Sequence, residues 1–186
     1  LVVADASDPH NLVEVLTGLG YKNIRQLSKG SDVYYHARDY DPDMIIADIA
    51  TPDSALLESI LAINNRKPVP VVMFVEESLK DQVMSVIRAG VSAYIVNGYH
   101  DARVSHIIDL AIARFNESQR ISSELMDARL ALKDRKKIDR AKGMVMKQKD
   151  CDEDTAYKLI RKMAMNRNMR IADVARQIID ISPLLQ

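Results

Sequence analysis

Cysteine is almost missing from this 186-residue chain: Cys151 stands alone, so no internal disulfide can form, and the four scattered histidines (His10, His36, His100, His106) cannot assemble a zinc-type cluster. Cys151 itself reads as a bystander thiol in a reducing cytosol. No stretch approaches the roughly 18 apolar residues of a membrane span. The chain opens directly on Leu1-Val2-Val3-Ala4 without a basic leader, and a cytoplasmic protein is expected. A glycine-rich phosphate loop and a Ser or Cys nucleophile setting are also absent, so no catalytic residue is assigned and the reading is not an enzyme. What is present is ordinary globular material, 47% hydrophobic and 28% charged, long enough to bury a core as one domain or one plus a small appendage.

The net charge of zero conceals an asymmetry. Residues 1–132 carry 12 Lys/Arg against 18 Asp/Glu, whereas residues 133–186 carry 14 against 8. A basic tail region behind an acidic one suggests a polyanion-binding module joined to a module with another job, although most charge runs of this kind are solvated helix surface.

The first hundred residues alternate short apolar runs with helical spacing. Leu1–Ala4, Met44–Ala47, Val69–Val75 and Ala93–Val96 read as buried strands, with Asn23–Leu27 a weaker fifth. Between them Leu12, Val13, Val15, Leu16 and Leu19, then Leu56, Leu57, Ile60 and Leu61, then Val83, Val86 and Ile87 keep helical periods, and Gly18, Gly20 and Gly90 stand where helices should stop. This alternation predicts an α/β domain, a doubly wound five-stranded parallel sheet with helices on both faces. From Asp101 to about Lys149 one long helix is expected, because no Gly or Pro occurs between Tyr99 and Lys142. Ala111, Ser118, Leu125 and Leu132 fall seven apart, with Ile107, Ile121 and Ala128 in complementary positions and Arg114 and Arg135 interrupting. Ile121, Leu125, Ala128 and Leu132 are the expected dimer seam, with folding back on the same chain or packing on the sheet domain as the alternatives. Two short helices follow: Asp150 to Glu153 offers a cap for Ala156, Leu159, Ile160, Met163 and Ala164, and Asn168 is expected to cap Ile171, Val174, Ala175, Ile178 and Ile179. With Ile138, Ala141 and Val145 they make a three-helix unit. The expected domains are 1–100, a receiver-like domain; 101–135, a long helical or coiled-coil linker; and 136–186, the helical bundle.

Asp5 and Asp48 each close an apolar strand run, the edge at which doubly wound sheets bind ligands, and with Asp8 they form a candidate acidic pocket. A weak Mg²⁺ site on Asp5 and Asp48 is the one metal option; otherwise no cofactor is expected. The run Asp43-Met44-Ile45-Ile46-Ala47-Asp48-Ile49 resembles the phosphoacceptor region of two-component receiver domains. Only one acid, Asp5, follows the first strand, Val75 stands where that family has Thr or Ser, and Asn97 where it has Lys. Asp48 is therefore read as phosphoacceptor-like but inactive, in a pseudo-receiver.

A second resemblance lies in Arg140-Ala141-Lys142-Gly143-Met144-Val145-Met146, in Glu153 through Met165 with Tyr157 and Arg161 inside it, and in Ile171-Ala172-Asp173-Val174-Ala175. These residues resemble the ANTAR domain, an RNA-binding antitermination module. On a helical wheel Tyr157, Arg161, Met165 and Asn168 fall together, a stripe suited to unstacked loop bases, while Lys142, Lys147, Lys162, Arg167 and Arg170 can supply phosphate contacts. A core role for Tyr157 is the alternative. In order, the parts resemble the response-regulator antiterminators, and Val71-Val72-Met73-Phe74, Gly90 through Val96 and Ala111 through Phe115 resemble their nitrate-assimilation branch. That resemblance implies a cytoplasmic homodimer that binds paired hairpins in a leader mRNA and is released by a nitrate/nitrite-sensor protein of the NasS type. The other class weighed is a phosphorylation-dependent response regulator that binds DNA.

Overall fold

The computed structural model describes residues 2–4, 12–28, 30–77 and 80–181, and the chain divides into two compact units, Leu1–Gln119 and Arg120–Gln186. In the first, β1 (Val2–Ala4), β2 (Gln26–Ser28), β3 (Ile45–Ile49), β4 (Val71–Val75) and β5 (Ala93–Val96) form one parallel sheet in the order β2-β1-β3-β4-β5. Helices α1 (Leu12–Gly18), α2 (Val33–Tyr40), α3 (Ser54–Arg66) and α4 (Lys80–Ala89) connect the strands, and α5 (Asp101–Lys149) follows β5.

Every residue of β4 is buried, and four of the five in β3, because both faces of the sheet are covered. Side chains alternate across a strand, so Ile45, Ala47, Ile49, Val71, Met73 and Val75 pack with Val33 and Ala37 of α2, Ile60 and Ile63 of α3 and Ala89 of α4. Ile46, Val72 and Phe74 face the other way, onto Leu12 and Leu16 of α1 and Val104, Ile108 and Ala111 of α5. Ala111 is thus core of this unit and not part of a helical seam; Ile107, half-buried, packs there too. The Phe74 and Tyr99 rings meet at 5.1 Å.

Three strand edges differ from the sequence reading. β4 starts at Val71 because Pro70 has no N–H to give a ladder, although its carbonyl accepts from Ile45 N at 3.0 Å. β3 runs on through Asp48 and Ile49, which pair with Phe74 and Val75. β2 lies at Gln26–Ser28 with only Leu27 buried. A helix at Val33–Tyr40 that the apolar spacing did not mark is started by Asp32, whose carboxylate accepts from Tyr35 N at 2.9 Å. Gly90, φ +88°, is required where α4 turns into β5: a Cβ there would stand 2.5 Å from Asn64 Nδ2, and that amide donates to Ala89 O at 2.8 Å.

In the second unit, α5 continues to Lys149 and is followed by α6 (Glu153–Asn166) and α7 (Ile171–Ile181). Ala141, Val145, Ala156, Ile160, Ala164, Val174 and Ala175 form its core, with Ile138, Met163, Ile171, Ile178 and Ile179 against it. Leu159, expected in that core, is 38% exposed. Between the two cores α5 has no buried residue from Ile112 to Arg140, and Ile121, Leu125 and Leu132 are each at least half exposed.

Candidate nucleic-acid interface

The cap of α6 is Asp152, whose carboxylate accepts from Thr155 N at 2.8 Å, and the helix then presents its residues in a fixed phase. Ala156, Ile160 and Ala164 point into the core. Tyr157, Arg161 and Met165, one position later in the same period, fall within a sector of about 80° and are all exposed, Met165 by 72% and Tyr157 by 36%. A ring, a guanidinium and a thioether on successive turns can stack on and hydrogen-bond to unpaired bases.

Asn168 stands elsewhere in the backbone than the sequence reading had it. It does not start α7; with φ +51° it ends α6, its N–H donating to Met165 O at 3.2 Å and the next N–H, from Met169, to Ala164 O at 3.0 Å. This is the left-handed helix stop that Asn tolerates better than most side chains. Its side chain is exposed beyond the end of the stripe.

The cations divide into engaged and free. Lys142 has a side chain only 16% exposed and its ammonium lies 2.8 Å from Asp139 and 2.6 Å from Glu153, pinning α5 to the start of α6. Its hydrogen bonds to Asp139 and Glu153 hold its pKa above the usual lysine value. Arg170 donates to both oxygens of Asp173, at 3.0 and 3.2 Å, and sits 3.9 Å from Asp134. Arg167 donates to Gln177 at 3.0 Å, joining α6 to α7. Lys147, Arg161 and Lys162 are exposed and make no ion pair among the described residues. Lys136 and Arg140 are free in the same sense, and with Lys137 and Arg176 they border a groove between α5 and α7 that the sequence reading missed, though the four-residue spacing of Lys136 and Arg140 was there to be read. Gly143 lies on α5 one turn beyond. A glycine in a helix interior costs about 0.5–1 kcal/mol relative to alanine, yet beyond its chain neighbours and the backbone of its own helix turn nothing lies within 4 Å of where its Cβ would stand.

These pairings have a pH signature. The Lys142 hydrogen bond holds the Asp139 carboxyl below its ordinary value, and the Arg170 hydrogen bonds do the same for Asp173. A carboxyl depressed in the folded state contributes stability above its unfolded pKa and loses it as pH falls through the lower folded value. Replacing Asp139 and Asp173 together by Asn should therefore lower the melting temperature of the second unit at pH 7, and that difference from the parent protein should close below about pH 4. A difference that stays constant across the acid range would contradict the pairing.

In the first unit Asp48 stands near the carboxyl end of β3, in register with Ala4 and Phe74. Val75, at the end of β4, is 1% exposed and apolar, and Asn97 follows β5 with φ +69°. Neither supplies a hydroxyl or a cation for a phosphoryl group. Asp5 and Asp8, the remaining acids of the expected pocket, lie outside the described residues, and so does half of the weak Mg²⁺ option.

Residues 126–179 match the family model of the ANTAR domain. The transcriptional regulatory protein PdtaR of Mycobacterium tuberculosis is 27% identical over 170 residues, 91% of this chain and 83% of its own length. The nitrate regulatory protein of Klebsiella oxytoca is 32% identical over 78 residues, 42% of this chain and 20% of its own. Among solved structures, the signal receiver domain of a modulated diguanylate cyclase from Desulfovibrio desulfuricans G20 covers 63% of this chain and 96% of its own at 16% identity, with a TM-score of 0.52, a likeness of fold alone.

In chain order the protein has a receiver-like α/β domain, a long helix and a C-terminal segment that matches the ANTAR domain. The C-terminal segment is thus similar to the ANTAR domain, and most of the chain is similar to the regulatory protein PdtaR.

Proposed function

We propose that this protein is a cytoplasmic, homodimeric transcription antiterminator that binds paired hairpins in the leader mRNA of a nitrate/nitrite assimilation operon, and that a nitrate/nitrite-sensor protein of the NasS type holds it until ligand arrives. The observation that carries the RNA part is the exposed Tyr157, Arg161 and Met165 stripe, with exposed Lys162 next to Arg161 on the same helix. The nitrate part rests on the resemblance of residues 71–74, 90–96 and 111–115 to the regulator NasT and on the likeness to the nitrate regulatory protein. Control by a partner in place of phosphate, with the first unit a pseudo-receiver, is supported by Val75 and Asn97, which offer neither a hydroxyl nor a cation to a phosphoryl group. Among the described residues no helix is long and apolar enough to cross a membrane. The DNA-binding alternative needed a base reader at the start of the last helix, and Arg170 there is held by Asp173 and Asp134.

The test is a pull-down from cells grown with and without nitrate, sequencing the RNA and identifying the protein retained, followed by binding assays on the recovered hairpins. Tyr157→Ala should weaken binding by about 1–3 kcal/mol and relax discrimination between loop sequences, with the fold unchanged by circular dichroism. Acetyl phosphate should change neither affinity nor oligomeric state. A melted domain would make Tyr157 core; unchanged binding would move the base-reading surface to another face; phosphate-dependent activation would end the pseudo-receiver reading.

A further inference from the structure

We infer that the α5 and α7 groove is a second RNA-binding surface, a track for the phosphate backbone separate from the base-reading stripe of α6; the inference rests on the RNA-binding reading above. Lys136, Lys137, Arg140 and Arg176 border a groove of about 360 Å³, with Ile179 and Asp180 completing its wall. Four cations stand against one carboxylate. Asp180 lies 3.7 Å from Arg176, and Lys137 is 3.2 Å from Asp134, so those two are partly balanced inside the protein. Lys136 and Arg140 have no such balance among the described residues.

The geometry of α5 extends the feature. At 100° per residue, Lys136, Arg140, Gly143 and Lys147 fall within a sector of about 60°, and from the first to the last the helix rises about 16 Å. Ile138, Ala141 and Val145, on the far side of the helix, are the residues that face the core. A row of cations along an exposed helix face, with no aromatic among them, suits a ligand whose negative charge repeats and whose bases need not be read.

Gly143 is the independent observation. It occupies the middle of the row, has an ordinary helical φ and meets no neighbour, so neither backbone conformation nor internal packing accounts for a residue that weakens the helix. Close approach of an external backbone does account for it, as glycines serve wherever a ligand must come near the main chain. An acidic protein surface would also find the cations, but a chain of phosphates fits both the row and the gap in it.

The experiment uses the full chain and the hairpin RNA recovered in the pull-down, with the dissociation constant measured across a salt series. Lys136→Gln, Arg140→Gln and Arg176→Gln combined should weaken binding at least tenfold near physiological salt and lower the slope of log affinity against log salt by about two units, near 0.7–0.9 for each phosphate no longer neutralised. Preference between loop sequences should not change. Gly143→Ala should raise the melting temperature while weakening RNA binding severalfold, a combination that a structural role for the glycine does not produce. If the parent protein binds the RNA and the triple variant keeps its affinity and slope, the groove does not bind RNA, while the function proposed above stands. If the variant keeps RNA but loses a protein retained in the pull-down, the groove belongs to an acidic partner and the inference is overturned. Absence of RNA binding by the parent protein itself would overturn both readings.

Discussion

Ile160→Ala is expected to unfold the C-terminal unit while leaving the sheet domain intact. Ile160 is fully buried in a core that, among the described residues, holds seven buried side chains. Truncating such a residue costs about 2–5 kcal/mol, because the lost transfer free energy is joined by the cavity left behind. A unit this small has a net stability of the same order. Amide hydrogen exchange should show protection lost across α6 and α7 and retained in β4, and RNA binding should disappear. Leu159→Ala makes the comparison sharp: at 38% exposure Leu159 has little burial to lose, so its variant should stay folded. Similar damage from both substitutions would mean that the two neighbours have been assigned to the wrong faces of α6.

The second large effect is expected from Leu125→Lys combined with Leu132→Lys. Those residues, with Ile121 and Ala128, lie along a helix stretch that its own chain leaves uncovered, and exposed apolar side chains in register are best satisfied by the same surface on a second copy. Lysine is a good helix former, so the substitution removes the seam without breaking α5. Sedimentation should show loss of dimers. Affinity for RNA with two hairpins should fall by about 10²–10⁴, the gain that linkage provides, whereas binding to a single hairpin should hardly change. Equal losses on the two RNAs would remove the dimer from the account.

How far the sequence could be read depended on how each residue is covered. β3 and β4 were legible because burial on both faces leaves an unbroken apolar run, and α5 because nothing in it breaks a helix until Gly143, which does not break it either. α2 was not legible: it buries only Val33 and Ala37, and Tyr35, Arg38 and Asp39 on its open side look like a loop. At the interface, the phase of α6 could be derived from Ala156 and Ile160, which placed Tyr157 and Arg161 correctly on an open face. The cations were harder, since composition counts charge and not its partners. Lys142 and Arg170 read as phosphate ligands in the sequence, yet each meets two carboxylates brought to it by folding: Asp139 and Glu153 for one, Asp173 and Asp134 for the other. Lys136 and Arg140 were passed over for want of a pattern linking them to Arg176 on a different helix.

The strand order has a consequence in time. β1 lies in the sheet between β2 and β3, and β4 and β5 add on beyond, so the sheet of the first unit cannot close until synthesis has passed Val96. Parallel pairings across such separations form slowly, whereas three helices packed on near neighbours in the chain form fast. Synthesis reverses that handicap: at about 5–20 residues per second, the 67 residues of the second unit follow the first by roughly 3–13 s. The slow-forming sheet thus gains a head start before the fast-forming helices that carry the exposed Tyr157, Arg161 and Met165 stripe are complete.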